Sequence, residues 1–204
     1  MNHNIIEQED YKGYRITLEH EDGSCVDNPQ EEYPLGTLVF FHRNRDPGNH
    51  GHGYRSEHYS SWSGLESRIL KDHPGCLCLP VYMYDHSGTA LSFSPFSCPW
   101  DSGQVGFWYV TREEMLDNWA PEGKRVTKKI REKAEKALEG KLQCLDSWMN
   151  GDFLGYVVRE LDEDGDPLED VEESCWGFYG FDSEYALSAA RSTVDYLTRN
   201  VEAA

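Results

Sequence analysis

Residues Cys76 to Val110 read CLCLPVYMYDHSGTALSFSPFSCPWDSGQVGFWYV. Three segments here, CLCLPVYMY, TALSFS and VGFWYV, are short, apolar and rich in β-branched and aromatic residues, as strands are. DHSG (Asp85 to Gly88) is a tight connection between the first two, and PFSCPWDSGQ (Pro95 to Gln104) connects the second to the third. Strands joined by such short connections pair antiparallel.

The reading extends outward from this block. Upstream, YRITLEHED (Tyr14 to Asp22) alternates polar and apolar residues like a half-buried strand, and GTLVFFH (Gly36 to His42) is an apolar run of strand length. RNRDPGNHGHGYRSEHYSS (Arg43 to Ser61) has no periodicity and is expected to be a long exposed loop. SSWSGLESRILKDHPG predicts a short helix capped by Ser60 or Ser61, with Trp62, Leu65 and Ile69 on one face. Downstream, Thr111 and Glu114 form a capping box. A helix from about Val126 to Trp148 follows, with Ile130, Ala134, Ala137, Leu138, Leu142, Leu145 and Trp148 as its apolar stripe. DFLGYVVREL and DVEESCWGFYG are paired strands about an Asp164-Gly165 turn. A last amphipathic helix begins at Asp182 or Ser183. The expected class is α+β: a mainly antiparallel sheet with about four flanking helices. Length suggests one domain, at most two small ones, and the reading adopted is a single α+β domain over residues 1–204, with the acidic hairpin and C-terminal helix in 151–204.

Composition narrows the function. Hydrophobic residues make up 38% and aromatics 13% of the chain, too much for a disordered polymer. The net charge is −18, from 37 acidic and 19 basic residues. That balance repels nucleic acid and anionic membranes and favours cationic partners. It is uneven: residues 151–204 carry 14 acids against 3 bases, whereas residues 111–150 carry 8 against 9. No apolar run is long enough to span a bilayer, and MNHNIIEQEDYKGY lacks the regions of a secretory signal. A cytoplasmic protein with reduced cysteines is expected.

Four constellations hold reactive residue types. Asp85, His86 and Ser87 are consecutive, which suits a turn better than a triad, whose side chains must converge. Cys98, with Trp100 and Asp101, becomes a nucleophile only if a base such as His86 reaches across from the neighbouring turn. Together Asp85, His86, Ser87, Cys98, Trp100 and Asp101 are the candidate pocket of an enzyme reading, a hydrolase or nucleotide-acting protein. His50, His52, His58 and His73 crowd towards Cys76 and Cys78, but Cys-Leu-Cys is not the spacing of a structural zinc site. Alternation puts both thiols on one face of a strand, with Leu77 opposite. Asp162, Asp164, Asp166 and Glu173 occupy the first, third, fifth and twelfth positions of a calcium-binding loop, yet Pro167 stands where that loop needs glycine. No phosphate-binding loop, dinucleotide fingerprint or nucleophile elbow is present. No metal and no cofactor is expected, and an enzyme is the less favoured class.

The quoted block, with LGTLVFFHR and ESCWGFYGFD, resembles a family of uncharacterised bacteriophage and prophage proteins over scattered blocks between Asn28 and Asp182. The resemblance implies a protein present in the cytoplasm of an infected or prophage-bearing host cell. It brings no catalytic residue with it. The expected function is inhibition of a host defence or nucleic-acid-binding protein, in the manner of a DNA mimic. The expected partner surface comprises Asp162, Glu163, Asp164, Asp166, Glu169, Asp170, Glu172 and Glu173, facing a basic site on the host protein. Direct contact with nucleic acid or membrane is not expected.

Overall fold

The structure is a computed structural model that describes residues 4–21, 26–32, 34–47, 50–86, 88–122 and 125–202. In chain order the strands are β1 (Ile5–Tyr11), β2 (Tyr14–Glu21), β3 (Thr37–Phe40), β4 (Leu77–Asp85), β5 (Thr89–Ser92), β6 (Ser102–Val110), β7 (Phe153–Leu161) and β8 (Pro167–Tyr179). The α-helices are α1 (Pro29–Glu32), α2 (Trp62–Asp72), α3 (Arg112–Trp119), α4 (Lys128–Asn150) and α5 (Ser183–Glu202). All strand pairs are antiparallel, and the class is α+β. Among the described residues no helix is long and apolar enough to cross a membrane.

The chain divides into two compact units. Unit 1 comprises residues 1–26 and 151–204, and unit 2 comprises residues 27–150. Unit 2 is thus inserted in the chain between β2 and β7. Length alone conceals this, because β2 pairs with β7 across the whole insertion, from Tyr14 opposite Glu160 to Glu21 opposite Phe153.

Unit 1 is a four-stranded sheet in the order β1-β2-β7-β8. Ile16, Leu18, Leu154, Tyr156 and Val158 point to one face and pack against Ala186, Leu187, Ala190 and Val194 of α5. The helical spacing of those four residues is what makes α5 amphipathic. Strand β1 is absent from the sequence reading. Most of its side chains are exposed, so it carries no burial period. Its position is set instead by the Lys12-Gly13 turn, where both residues have positive φ, 50° and 80°. This is the two-residue hairpin turn whose twist matches that of the strands.

Polar contacts fasten α5 to β1. Arg191 donates to both carboxylate oxygens of Glu9, each at 2.6 Å, and Lys12 donates to Asp195 at 2.7 Å. The hydrogen bond from Arg191 holds Glu9 below its ordinary value of 4.5, and that from Lys12 holds Asp195 below 3.8. A carboxylate with a depressed folded pKa contributes stability above its unfolded pKa, and that contribution is lost as pH falls through the folded value. Unit 1 is therefore expected to lose stability as pH drops below about 4.5. Glu9→Gln should lower stability at neutral pH and flatten this acid-side loss, as followed by thermal melts at stepped pH. Equal acid sensitivity in variant and wild type would remove Glu9 from the account.

Unit 2 is a second four-stranded sheet, in the order β3-β6-β4-β5. On one face Leu38, Val81, Met83, Trp108 and Val110 pack against Met115 of α3 and Ile130, Ala134, Leu138, Leu142 and Leu145 of α4. On the other, Val39, Phe107, Tyr109 and Cys76 pack against Leu65 and Ile69 of α2 and against Tyr54. Local signals set the helix starts: Ser61 caps α2 by accepting from Gly64 N, and Thr111 and Glu114 form the full capping box of α3. The end of α4 clamps β5. Asp146 accepts from Leu91 N at 2.7 Å, and Asn150 bonds both the N–H and the C=O of Thr89. Side chains thereby occupy backbone groups that an edge strand would otherwise present.

One connection differs from the sequence reading. The segment Pro95 to Gln104 does not join neighbouring strands, because β4 lies between β5 and β6. The loop carries the chain from one side of β4 to the other. Pairing partners are a tertiary choice, and turn chemistry alone does not encode them.

Candidate functional site

The loop between β5 and β6 folds back on the end of β4, where Asp85 N donates to Asp101 O at 2.8 Å. This brings three of the sequence candidates together. Cys98 Sγ donates to Asp101 Oδ2 at 3.5 Å, and His86 Nδ1 lies 3.7 Å from Asp101 Oδ1. The order is thiol, carboxylate, imidazole. A cysteine nucleophile needs the imidazole beside the sulfur, and here Asp101 takes that place. Trp100 is 92% exposed and points to solvent instead of lining a pocket. Asp85 faces Arg45 at 3.8 Å. Ser87 lies outside the described residues.

The histidines and cysteines separate. Cys76 and Cys78 do share one face of the sheet, towards α2, with Leu77 and Leu79 on the α4 side. Burial pushes the Cys76 thiol up and that of Cys78 up to about 12, so both keep their protons. His73 stacks on Tyr109 with ring centroids 4.6 Å apart, His52 stacks on Tyr54, and His58 is exposed. The side chain of His50 is outside the description. Among the described residues no group of three or more His, Cys, Asp or Glu side chains is placed to hold a metal ion.

The acidic segment forms the β7–β8 hairpin. Asp162 Oδ1 accepts from the backbone N–H of Asp164 and of Asp166, each at 2.9 Å, which folds the tip into a fixed turn. Arg15 braces the same tip, donating to Gly165 O at 3.2 Å while its other nitrogen bonds Asp10 at 2.8 Å. Glu163, Asp164, Asp166 and Glu173 are exposed. Glu169, Asp170 and Glu172 are placed on β8, and their side chains are outside the description. Strands flank this loop on both sides, unlike the helices of a calcium-binding hand.

The division into units concentrates the charge further than the sequence shows. Unit 1 holds 20 acidic and 5 basic residues, a net of −15, and unit 2 holds 17 and 14, a net of −3. The N-terminal 26 residues, with 6 acids and 2 bases, join the acidic tail in one unit.

A cleft that the sequence does not reveal lies in unit 2. Arg43 to Ser61, expected as a solvated loop, makes two 3₁₀ turns and buries Tyr54 to 9% exposure. With the end of β3 and the start of α2 its described residues line an open cleft of about 880 Å³. Arg43, Arg45 and Arg55 reach into it, with Phe41 and Trp62 as an aromatic wall. Those two rings are nearly parallel, 18° apart in plane, with centroids 6.4 Å apart. A smaller cavity of about 600 Å³ shares Tyr54 and Tyr59 and holds Arg68, Asp72 and His73. There Asp72 accepts from Arg68 at 2.8 Å and from Tyr54 at 3.2 Å. The signal in the sequence was three arginines within thirteen residues, scattered among His and Gly. No family model matches the chain, and no curated protein or solved structure is significantly similar to it.

Proposed function

We propose that this chain is a phage-encoded, non-catalytic binding protein that inhibits a host defence or nucleic-acid-binding protein by occupying its basic surface with unit 1. The observation that carries this reading is the net charge of −15 in one 80-residue unit, beside −3 in the other. A duplex presents one phosphate charge per ~1.7 Å of axis. A compact acidic unit offers a partner evolved for that field a comparable target. Such a field speeds encounter and weakens with salt. The phage context rests on the family resemblance and the host partner on that context. The hairpin tip supplies carboxylates on a turn that Asp162 and Arg15 hold in place, so little order is lost on binding.

The test uses immobilised protein and lysate of a candidate host. A nucleic-acid-binding or defence protein should be retained at low salt, released at high salt and displaced by duplex DNA. Changing Glu163→Gln, Asp164→Asn, Asp166→Asn and Glu173→Gln together should weaken retention roughly tenfold or more. Asp162 is left intact because it holds the turn. Failure to retain any such protein at low salt would sink the proposal.

A further inference from the structure

We propose that the cleft in unit 2 binds a mononucleotide, the aromatic base against Phe41 and Trp62 and the phosphate on Arg43, Arg45 and Arg55. This is independent of unit 1 and its partner. The cavity, at about 880 Å³, falls in the range of ligand sites, roughly 300–1,000 Å³. Its charged donors are only loosely paired. Arg45 and Asp85 are 3.8 Å apart, as are Arg55 and Glu57, and both separations exceed a hydrogen bond. Arg43 makes no ion pair among the described residues. Guanidinium groups bind phosphate through paired N–H donors, and an arriving phosphate would complete bonds that the carboxylates do not make.

Two further features point to the same ligand class. Ser60, Ser61 and Trp62 bring the N-terminus of α2 to the cleft. Ser61 satisfies Gly64 N and Leu65 N, while the N–H groups of Trp62 and Ser63 lie in the first turn, where no intrahelical acceptor exists. The wall beside them is aromatic and half-buried, which suits a planar base and gives a bare anion nothing. Charge sets an upper limit on size. Three arginines against Asp46 and Glu57 leave the cleft lining with a positive balance, and screening over ~8 Å weakens the carboxylates beyond it. A long polyanion would extend beyond the arginines onto a unit whose own net charge is −3.

Calorimetric titration of the full chain tests this, with adenosine 5′-monophosphate and uridine 5′-monophosphate as probes and inorganic phosphate and adenosine as half-ligands. A nucleotide should bind saturably, and each half-ligand should bind at least tenfold more weakly. Arg43→Glu and Arg55→Glu, both on exposed side chains, should each weaken binding roughly tenfold or more with unchanged melting. Lys128→Glu, on a side chain 92% exposed at the start of α4, should not. If an arginine variant fails to fold, amide exchange on the unaltered chain replaces it, and slowing should be confined to residues 41–65. Three results would overturn the proposal: no binding by either nucleotide at millimolar concentration, phosphate binding as tightly as nucleotide, or protection elsewhere.

Discussion

Trp108→Ala is expected to destabilise unit 2 by about 3–5 kcal/mol, the range for removing a large buried aromatic. Trp108 is fully buried at the centre of the face between the sheet and α4. Its ring meets Phe93 edge-on, with centroids 6.4 Å apart, and its Nε1–H donates to Leu35 O at 2.9 Å. The alanine variant loses the packing, opens a cavity and leaves a part-buried carbonyl without its donor. Trp108→Phe keeps most of the volume but loses the donor and part of the ring, so it should cost about 1–3 kcal/mol. Urea unfolding followed by circular dichroism separates the two. Similar losses in both variants would mean that the hydrogen bond dominates; a loss under about 1 kcal/mol for alanine would deny Trp108 its central place.

The second large effect is expected at Gly106. A Cβ built there would lie 1.8 Å from Val39 O and 2.9 Å from Val39 C, both backbone atoms of β3. Neither can rotate away, so β3 must shift. Gly106→Val should cost about 3 kcal/mol, the upper range for overpacking. Gly103→Ala on the same strand is the control, since a Cβ there meets no heavy atom within 4 Å. The effect should reach the cleft as well. β3 ends at Phe40 and delivers Phe41, Arg43 and Arg45 to the cavity wall, and Phe41 N donates to Val105 O at 2.7 Å beside this contact. A displaced β3 should therefore weaken nucleotide binding even in the folded fraction. Unchanged stability in Gly106→Val would show that β3 does not approach β6 as described.

Features encoded by local chemistry were legible in the sequence. The cap at Ser61, the Thr111–Glu114 box and the stripe from Ile130 to Leu145 each depend on neighbours within one or two helical turns, and each is found as read. The Asp164-Gly165 turn is likewise local, with Gly165 at φ 84°. Features that depend on distant partners were not legible. Strand β1 is exposed and pairs through a turn that Lys12 enters with positive φ, a conformation a lysine gives no warning of. The order β3-β6-β4-β5 depends on which edge accepts β6. For the site, Cys98 and His86 both lie beside Asp101, which stands between them. The cleft was hidden because its wall comes from three elements read separately: the end of β3, an aperiodic loop and the first turn of α2. Trp62 was read as a core residue of its helix, and it also lines the cleft.

The insertion of unit 2 between β2 and β7 has a consequence for the order of events at the ribosome. Hairpin β1–β2 is made first, yet its partner strand lies beyond the 124 residues of unit 2. At ~5–20 residues per second, roughly ten seconds of synthesis separate them. Only at the end of that time does unit 2 have all of its own strands and helices, and throughout it Ile16 and Leu18 have neither β7 beside them nor α5 above them. At that point the chain holds every element of unit 2 but only half of the unit 1 sheet, with β2 as an unpaired edge and its apolar face uncovered. In that interval the charges of Glu7, Glu9, Asp10, Glu19 and Glu21 along β1 and β2 discourage self-pairing between nascent chains, a use of acidity that precedes any partner.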